Sequence, residues 1–217
     1  GPAGTWDFRQ LKHHPGVVLG CDYNGFFVMR NAGGHVTYAG RVQGIDLSSA
    51  RFEEDSDGTI WIADWQKGIF HIWLNDDGTQ VVKQEHFGKD HGLLVEGGNQ
   101  VCKWQDTVMV SSVDGFLRYD HATGKLTHVQ WLNHLVNHYG TSVALCETPG
   151  HDAWVLTGDN IMLLRRQSTG VWEVDSATFE SGINMVTMSL GHLGFADSTH
   201  TIFNTNSGFC VANQSLN

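Results

Sequence analysis

The chain has 217 residues, 41% hydrophobic and 17% charged, with a formal net charge of −10 at pH 7. That length suits one substantial core and no more than two domains. The acidic balance, without a cluster of even four Lys/Arg residues, excludes the basic surface that non-sequence-specific nucleic-acid binding needs, and no apolar run reaches the length of a membrane span.

In chain order, Gly1-Pro2-Ala3 resembles a protease-cleavage remnant, so the lack of a signal peptide says nothing about export. The first repeat (4–49) predicts strands at Asp7 to Lys12, Val17 to Gly20, Phe26 to Arg30 and His35 to Ala39. The second (50–99) predicts Ala50 to Glu54, a turn at Asp55-Ser56-Asp57-Gly58, then Thr59 to Ala63 and Ile69 to Leu74. An Asp-Gly hairpin at Asp77-Gly78 leads into a fourth strand, Gln80 to His86. The third (100–142) gives Gln100 to Trp104, Thr107 to Ser111, Phe116 to Asp120 and Lys125 to Leu132. Trp131 to His138 has at most the makings of a helical turn, because Asn133 and Asn137 disfavour anything longer. The fourth (143–182) gives Val143 to Glu147, Ala153 to Leu156, Ile161 to Arg165 and Val171 to Asp175. The fifth (183–217) offers three strands, Met185 to Leu190, Thr201 to Asn204 and Phe209 to Asn213, with Leu193 to Asp197 unplaced.

Val18, Trp61, Met109, Trp154 and Ile202 occupy equivalent positions, at intervals of 43, 48, 45 and 48 residues. Strand-filled repeats of that period are the signature of propeller blades. The expected fold is all-β: a β-propeller of about five four-stranded antiparallel blades, the last incomplete. Either the blades close imperfectly or the chain is part of a larger propeller. The tryptophans at strand positions (Trp6, Trp61, Trp73, Trp104, Trp131, Trp154 and Trp172) read as packing between blades. Cys21, Cys102, Cys146 and Cys210 are widely spaced without a CxxC pair and read as small buried hydrophobes rather than metal or redox ligands.

Glu54-Asp55-Ser56-Asp57-Gly58-Thr59-Ile60-Trp61-Ile62-Ala63-Asp64 resembles the two-component regulator propeller repeat, with Ala63-Asp64 in place of the usual Gly-Thr and one extra residue before Gly68. Asn204 to Phe209 fits the same turn, and His91-Gly92-Leu93 followed by Asn99-Gln100-Val101 resembles the lead-in between its blades. The resemblance implies the sensor region of hybrid histidine kinases and related, mostly Bacteroidetes, regulators that respond to glycan fragments. It also implies a periplasmic or extracytoplasmic location, with a neighbouring propeller or an immunoglobulin-like domain of the parent chain as partner.

In an antiparallel four-stranded blade, the turns between strands two and three share an end with the connections between blades. That end collects the long loops, where binding residues concentrate on a rigid scaffold. The candidate ligand-binding residues there are Asp22, Tyr23, Asp64, Trp65, Gln66, Glu96, Ser112, Tyr139, Asp159 and Asn206. Aromatic rings stack on the C–H faces of a sugar, while carboxylates and amides meet its hydroxyls. Trp65 is the strongest of the ten, because a large apolar ring in a turn is costly to expose.

Other motifs fall short. Asp55-Ser56-Asp57-Gly58 lacks the downstream Glu of a calcium loop, and His134 and His138 lack the Glu of a zinc HExxH. Neither a Gly-x-Ser-x-Gly elbow nor a phosphate loop occurs. No cofactor, metal or catalytic residue is expected. The leading expectation is a non-catalytic sensor that binds an oligosaccharide. The alternatives are a propeller glycoside hydrolase or lyase, which needs two converging carboxylates, and a protein–protein scaffold, in which self-association covers an open blade.

Overall fold

In a computed structural model, residues 4–49, 51–137, 142–157, 160–179, 193–205 and 208–215 are described. Short apolar runs between Gly, Asp and Asn turns fold as strands, nineteen of them among these residues, in five small antiparallel sheets. The first sheet is β1 (Asp7–Gln10), β2 (Val17–Asp22), β3 (Gly25–Ala32) and β4 (His35–Arg41). The second is β5 (Phe52–Glu54), β6 (Ile60–Asp64), β7 (Gly68–Leu74) and β8 (Val81–Phe87). The third holds β9 (Gln100–Trp104), β10 (Thr107–Ser112), β11 (Gly115–Asp120) and β12 (Lys125–His128). The fourth holds β13 (Ser142–Glu147), β14 (Ala153–Thr157), β15 (Ile161–Arg166) and β16 (Trp172–Asp175). The last has three strands among the described residues, β17 (Leu193–Phe195), β18 (His200–Thr205) and β19 (Gly208–Asn213). Each sheet is a meander in sequence order, so the chain is all-β with five blades of β-propeller type.

Two compact units divide the chain. One comprises Gly1–Val101, Asp106–Val110 and Arg118–Thr127; the other comprises Cys102–Gln105, Ser111–Leu117 and His128–Asn217. In the first unit every residue of β6 is buried, which explains its near-continuous apolar run, Ile60-Trp61-Ile62-Ala63. Period two sends Ile60 and Ile62 into a core with Leu19, Val28, Phe26, Phe52 and Ile72, while Trp61 goes to the other side against Phe87 and Tyr119. Each such side chain contributes about 1.5–3 kcal/mol by burial. Polar contacts then fix the first two blades against each other. The Arg9 guanidinium bridges Asp7 (3.0 Å) and Glu53 (2.6 Å), and Glu54 accepts from the backbone N–H groups of Lys12 and His13 at 2.7 and 2.8 Å. The core of the second unit centres on Trp154, Leu156, Ile161, Leu163 and Phe203, with the Trp154 indole N–H donating to the Thr201 hydroxyl at 2.8 Å.

Two expectations need correction. The strand expected from Lys125 to Leu132 stops at His128, and Gln130–Val136 forms an α-helix, α1. Leu132 and Val136, one turn apart, are both buried under it. Asn133 anchors rather than breaks the helix: its side-chain amide donates to the Phe116 carbonyl (2.9 Å) and its oxygen accepts the Phe116 N–H (2.7 Å), taking the place of a neighbouring strand. Trp131 therefore lies on a helix and is 45% exposed, not buried between blades. Trp61, Trp104 and Trp154 are buried as expected, whereas Trp6, Trp73 and Trp172 are half-buried. In the last sheet the first strand among the described residues is Leu193–Phe195, a segment left unplaced in the sequence, paired with β18 from Leu193↔Phe203 to Phe195↔Thr201. The strand expected at Met185 to Leu190 lies outside the described residues.

Candidate functional site

Two turns of the first unit are built alike. At the end of β2, Asp22 is fully buried: its carboxylate accepts the Asn24 N–H at 2.8 Å and pairs bidentately with the Arg41 guanidinium at 2.7 and 2.7 Å. At the end of β6, Asp64 is also buried. Its Oδ1 accepts the N–H groups of Gln66 and Lys67 at 3.0 and 2.9 Å, and its Oδ2 accepts that of Ser48 at 3.3 Å. An aspartate facing inward satisfies the turn's backbone donors. The next residue is then aromatic and outward: Tyr23 is 63% exposed and Trp65 41%. Tyr23 stands edge-on to Trp6, with ring centroids 4.9 Å apart.

The connection 42–49 touches both turns. Its Leu47 carbonyl lies against Gly25, its Ser48 N–H bonds Asp64, and its Asp46 carbonyl accepts the Lys67 ammonium at 3.2 Å. From the other side the connection 88–99 closes on the Trp65 turn. The Gly98 N–H donates to the Trp65 carbonyl at 3.3 Å, and His86 Nε2 lies 2.5 Å from the Lys67 carbonyl. Asn99 sets that connection by donating its amide to the carbonyls of Val95 and Glu96 at 2.9 and 2.7 Å. Glu96 and Leu94 are thereby held in solvent beside the tryptophan turn.

Of the sequence-nominated residues, the structure collects Tyr23, Trp65, Gln66 and Glu96 as exposed groups around these two turns, with Asp22 and Asp64 as buried braces beneath them. Ser112 belongs to the second unit and is buried, its hydroxyl without a hydrogen-bond partner among the described residues. Tyr139, Asp159 and Asn206 lie outside the described residues. Lys67, His86 and Leu94 were not nominated as ligand contacts, although Lys67 lies in the same turn as Trp65 and His86 opens the connection that closes on it. The hydrogen bonds it donates to the Asp22 carboxylate hold the Arg41 guanidinium above its ordinary value. Burial pushes the neighbouring Cys21 thiol up to about 12, which makes it a packing group rather than a nucleophile. Such a surface offers aromatic rings, an amide, a carboxylate and an ammonium on a firm base, which suits reversible binding of a polar ligand with C–H faces.

No family model and no curated protein matches this chain. Solved structures do resemble it. The extracellular domain of a candidate one component system from B. thetaiotaomicron superposes on 97% of the chain with a TM-score of 0.60 and 12% identity. A second structure of the same protein's extracellular domain, described there as a candidate hybrid two component system, covers 98% with a TM-score of 0.55 and 13% identity. This chain spans only 28% and 35% of those two structures. A candidate gluconolactonase covers 96% of the chain with a TM-score of 0.58 and 17% identity, and here the chain spans 73% of the other. At these identities the likeness establishes the propeller fold that all of them share.

Proposed function

We propose that this chain is a non-catalytic, ligand-sensing propeller region of a signal-transduction regulator related to the two-component regulator propeller family. Its ligand is a carbohydrate that stacks on Trp65 and Tyr23 and meets Gln66, Lys67 and Glu96. One observation carries the reading: in two consecutive blades a buried aspartate rigidifies a turn and leaves an exposed aromatic ring at its tip. Pre-set turns lower the ordering cost of binding, and exposed rings of this size otherwise weigh against solubility. The fold shared with one bacterial extracellular domain, solved twice, supports an extracytoplasmic setting, with further domains of a longer parent chain as its partners. Among the described residues no helix is long and apolar enough to cross a membrane.

Calorimetric titration with a panel of plant and host oligosaccharides tests this reading. Saturable heats in the micromolar range, with the sugar recovered unchanged, are the expected result. The likeness to the candidate gluconolactonase favours a second reading, an enzyme on the same scaffold. Appearance of a hydrolysed or ring-opened product in these mixtures establishes that reading and overturns the first.

A further inference from the structure

The β5–β6 turn lies at the opposite end of β6 from the Trp65 turn. There, with the β9–β10 turn and the end of β11, it encloses a cleft of about 270 Å³ within the first unit. Three carboxylates border it, Asp55, Asp57 and Asp106, and no lysine or arginine does. Its wall is aromatic. Trp61 stacks on His71 with centroids 4.0 Å apart at 11°, and Tyr119 lies 5.7 Å from Trp61.

Hydrogen bonds hold three of the wall groups in place. Asp55 Oδ2 accepts the Trp61 indole N–H at 3.1 Å. Asp57 Oδ1 accepts both the N–H and the hydroxyl of Thr59, at 3.0 and 2.6 Å. Because the Thr59 hydroxyl is spent as a donor, His71 Nε2 donates to it, at 2.7 Å. His71 is only 5% exposed, and its Nδ1 has no hydrogen-bond partner among the described residues; the Glu85 carboxylate stands 3.7 Å away. Burial holds this imidazole below its ordinary value, so it adds no positive charge at neutral pH. The cleft is thus an acceptor-rich recess of three carboxylates and π faces, lined also by His121 and by no lysine or arginine.

We propose that the cleft is a second ligand site, separate from the sugar face, which receives the primary ammonium group of a small organic cation on a short alkyl chain. An ammonium brings three donors and no acceptor, the complement of this lining. Ring faces attract it further. Among the described residues no three His, Cys, Asp or Glu side chains are grouped closely enough to hold a metal ion. The carboxylates come from two different turns, so they bracket a group larger than a bare ion. An alkyl chain of a few carbons fits the volume, whether it belongs to a free diamine or to a lysine side chain.

The test titrates the whole chain, at low salt, with cadaverine, with Nα-acetyl-lysine methylamide and with the uncharged diol of cadaverine's length. Saturable binding of either amine, but not of the diol, is expected, and the tighter amine identifies the source. Asp57→Asn retains the Oδ1 acceptor for Thr59, and Asp106→Asn sits at φ 56°, a conformation asparagine tolerates. Each substitution weakens amine binding about tenfold while Trp65→Ala leaves it unchanged. Equal binding of the diol, no binding of either amine, or unaltered affinity in both Asn variants overturns the proposal. Loss of amine binding in Trp65→Ala also overturns it, by placing the amine on the sugar face.

Discussion

Asp22 shows why a residue nominated for ligand contact can matter more from beneath the site. Its carboxylate is fully buried and carries a bidentate guanidinium. Asp22→Asn leaves Arg41 facing an amide in a site built for a charge, and should lower stability by about 2 kcal/mol in urea melts. Tyr23→Ala, on the exposed neighbour, should change stability by less than about 1 kcal/mol. Equal losses in the two variants contradict this division between brace and contact. A second device recurs at Asp57-x-Thr59, Asp77-x-Thr79 and Asp197-x-Thr199, where the aspartate accepts the threonine N–H at 3.0, 2.9 and 2.7 Å. These hydrogen bonds, outweighing desolvation at Asp57, hold all three carboxyls below the usual range. Their contribution is present at neutral pH and fades only in strong acid.

His71 acts in a different pH window. Burial depresses its pKa in the folded chain, so as pH falls below the ordinary value of 6.5 the unfolded chain takes up the proton first. Stability should therefore decline from about pH 6.5 downward, flattening below the folded-state value. His71→Gln, which keeps an N–H for Thr59, should remove that part of the slope in melts compared at pH 7 and pH 5.5. An unchanged slope contradicts the assignment.

At the scale of elements, the Trp65 turn depends on Gly68. Its φ of +96° is one that side chains rarely adopt, and an added Cβ would stand 2.6 Å from the Phe87 carbonyl oxygen. Gly68→Ala should cost about 2 kcal/mol or more, and thermal melts of the variant check it. The blades themselves were legible because their cause is local: alternation, buried two-faced runs such as Ile60 to Ala63, and Asp-Gly turns repeat at a fixed period. Helix α1 was not, because Asn133 disfavours a helix by propensity and stabilises this one only through the distant Phe116 backbone. The site was half legible. The exposed aromatics after Asp22 and Asp64 follow from turn chemistry, as does Lys67 in the Trp65 turn, but His86 joins them through loop packing. The acidic cleft gathers side chains from four separated segments and left no linear signal.

Across the whole molecule, a net charge of −10 disfavours binding of polyanions, and five small blades carry the loops at their strand ends. The central claim is that the Trp65 face carries the ligand. Its most direct test is a parallel calorimetric titration of the unsubstituted chain, Trp65→Ala and Trp131→Ala with the oligosaccharide panel, since the two tryptophans are comparably exposed at 41% and 45%. The account predicts micromolar binding that Trp65→Ala abolishes and Trp131→Ala leaves intact, with melting temperatures little changed. Binding that survives in Trp65→Ala, or a panel without any saturable heat, contradicts it.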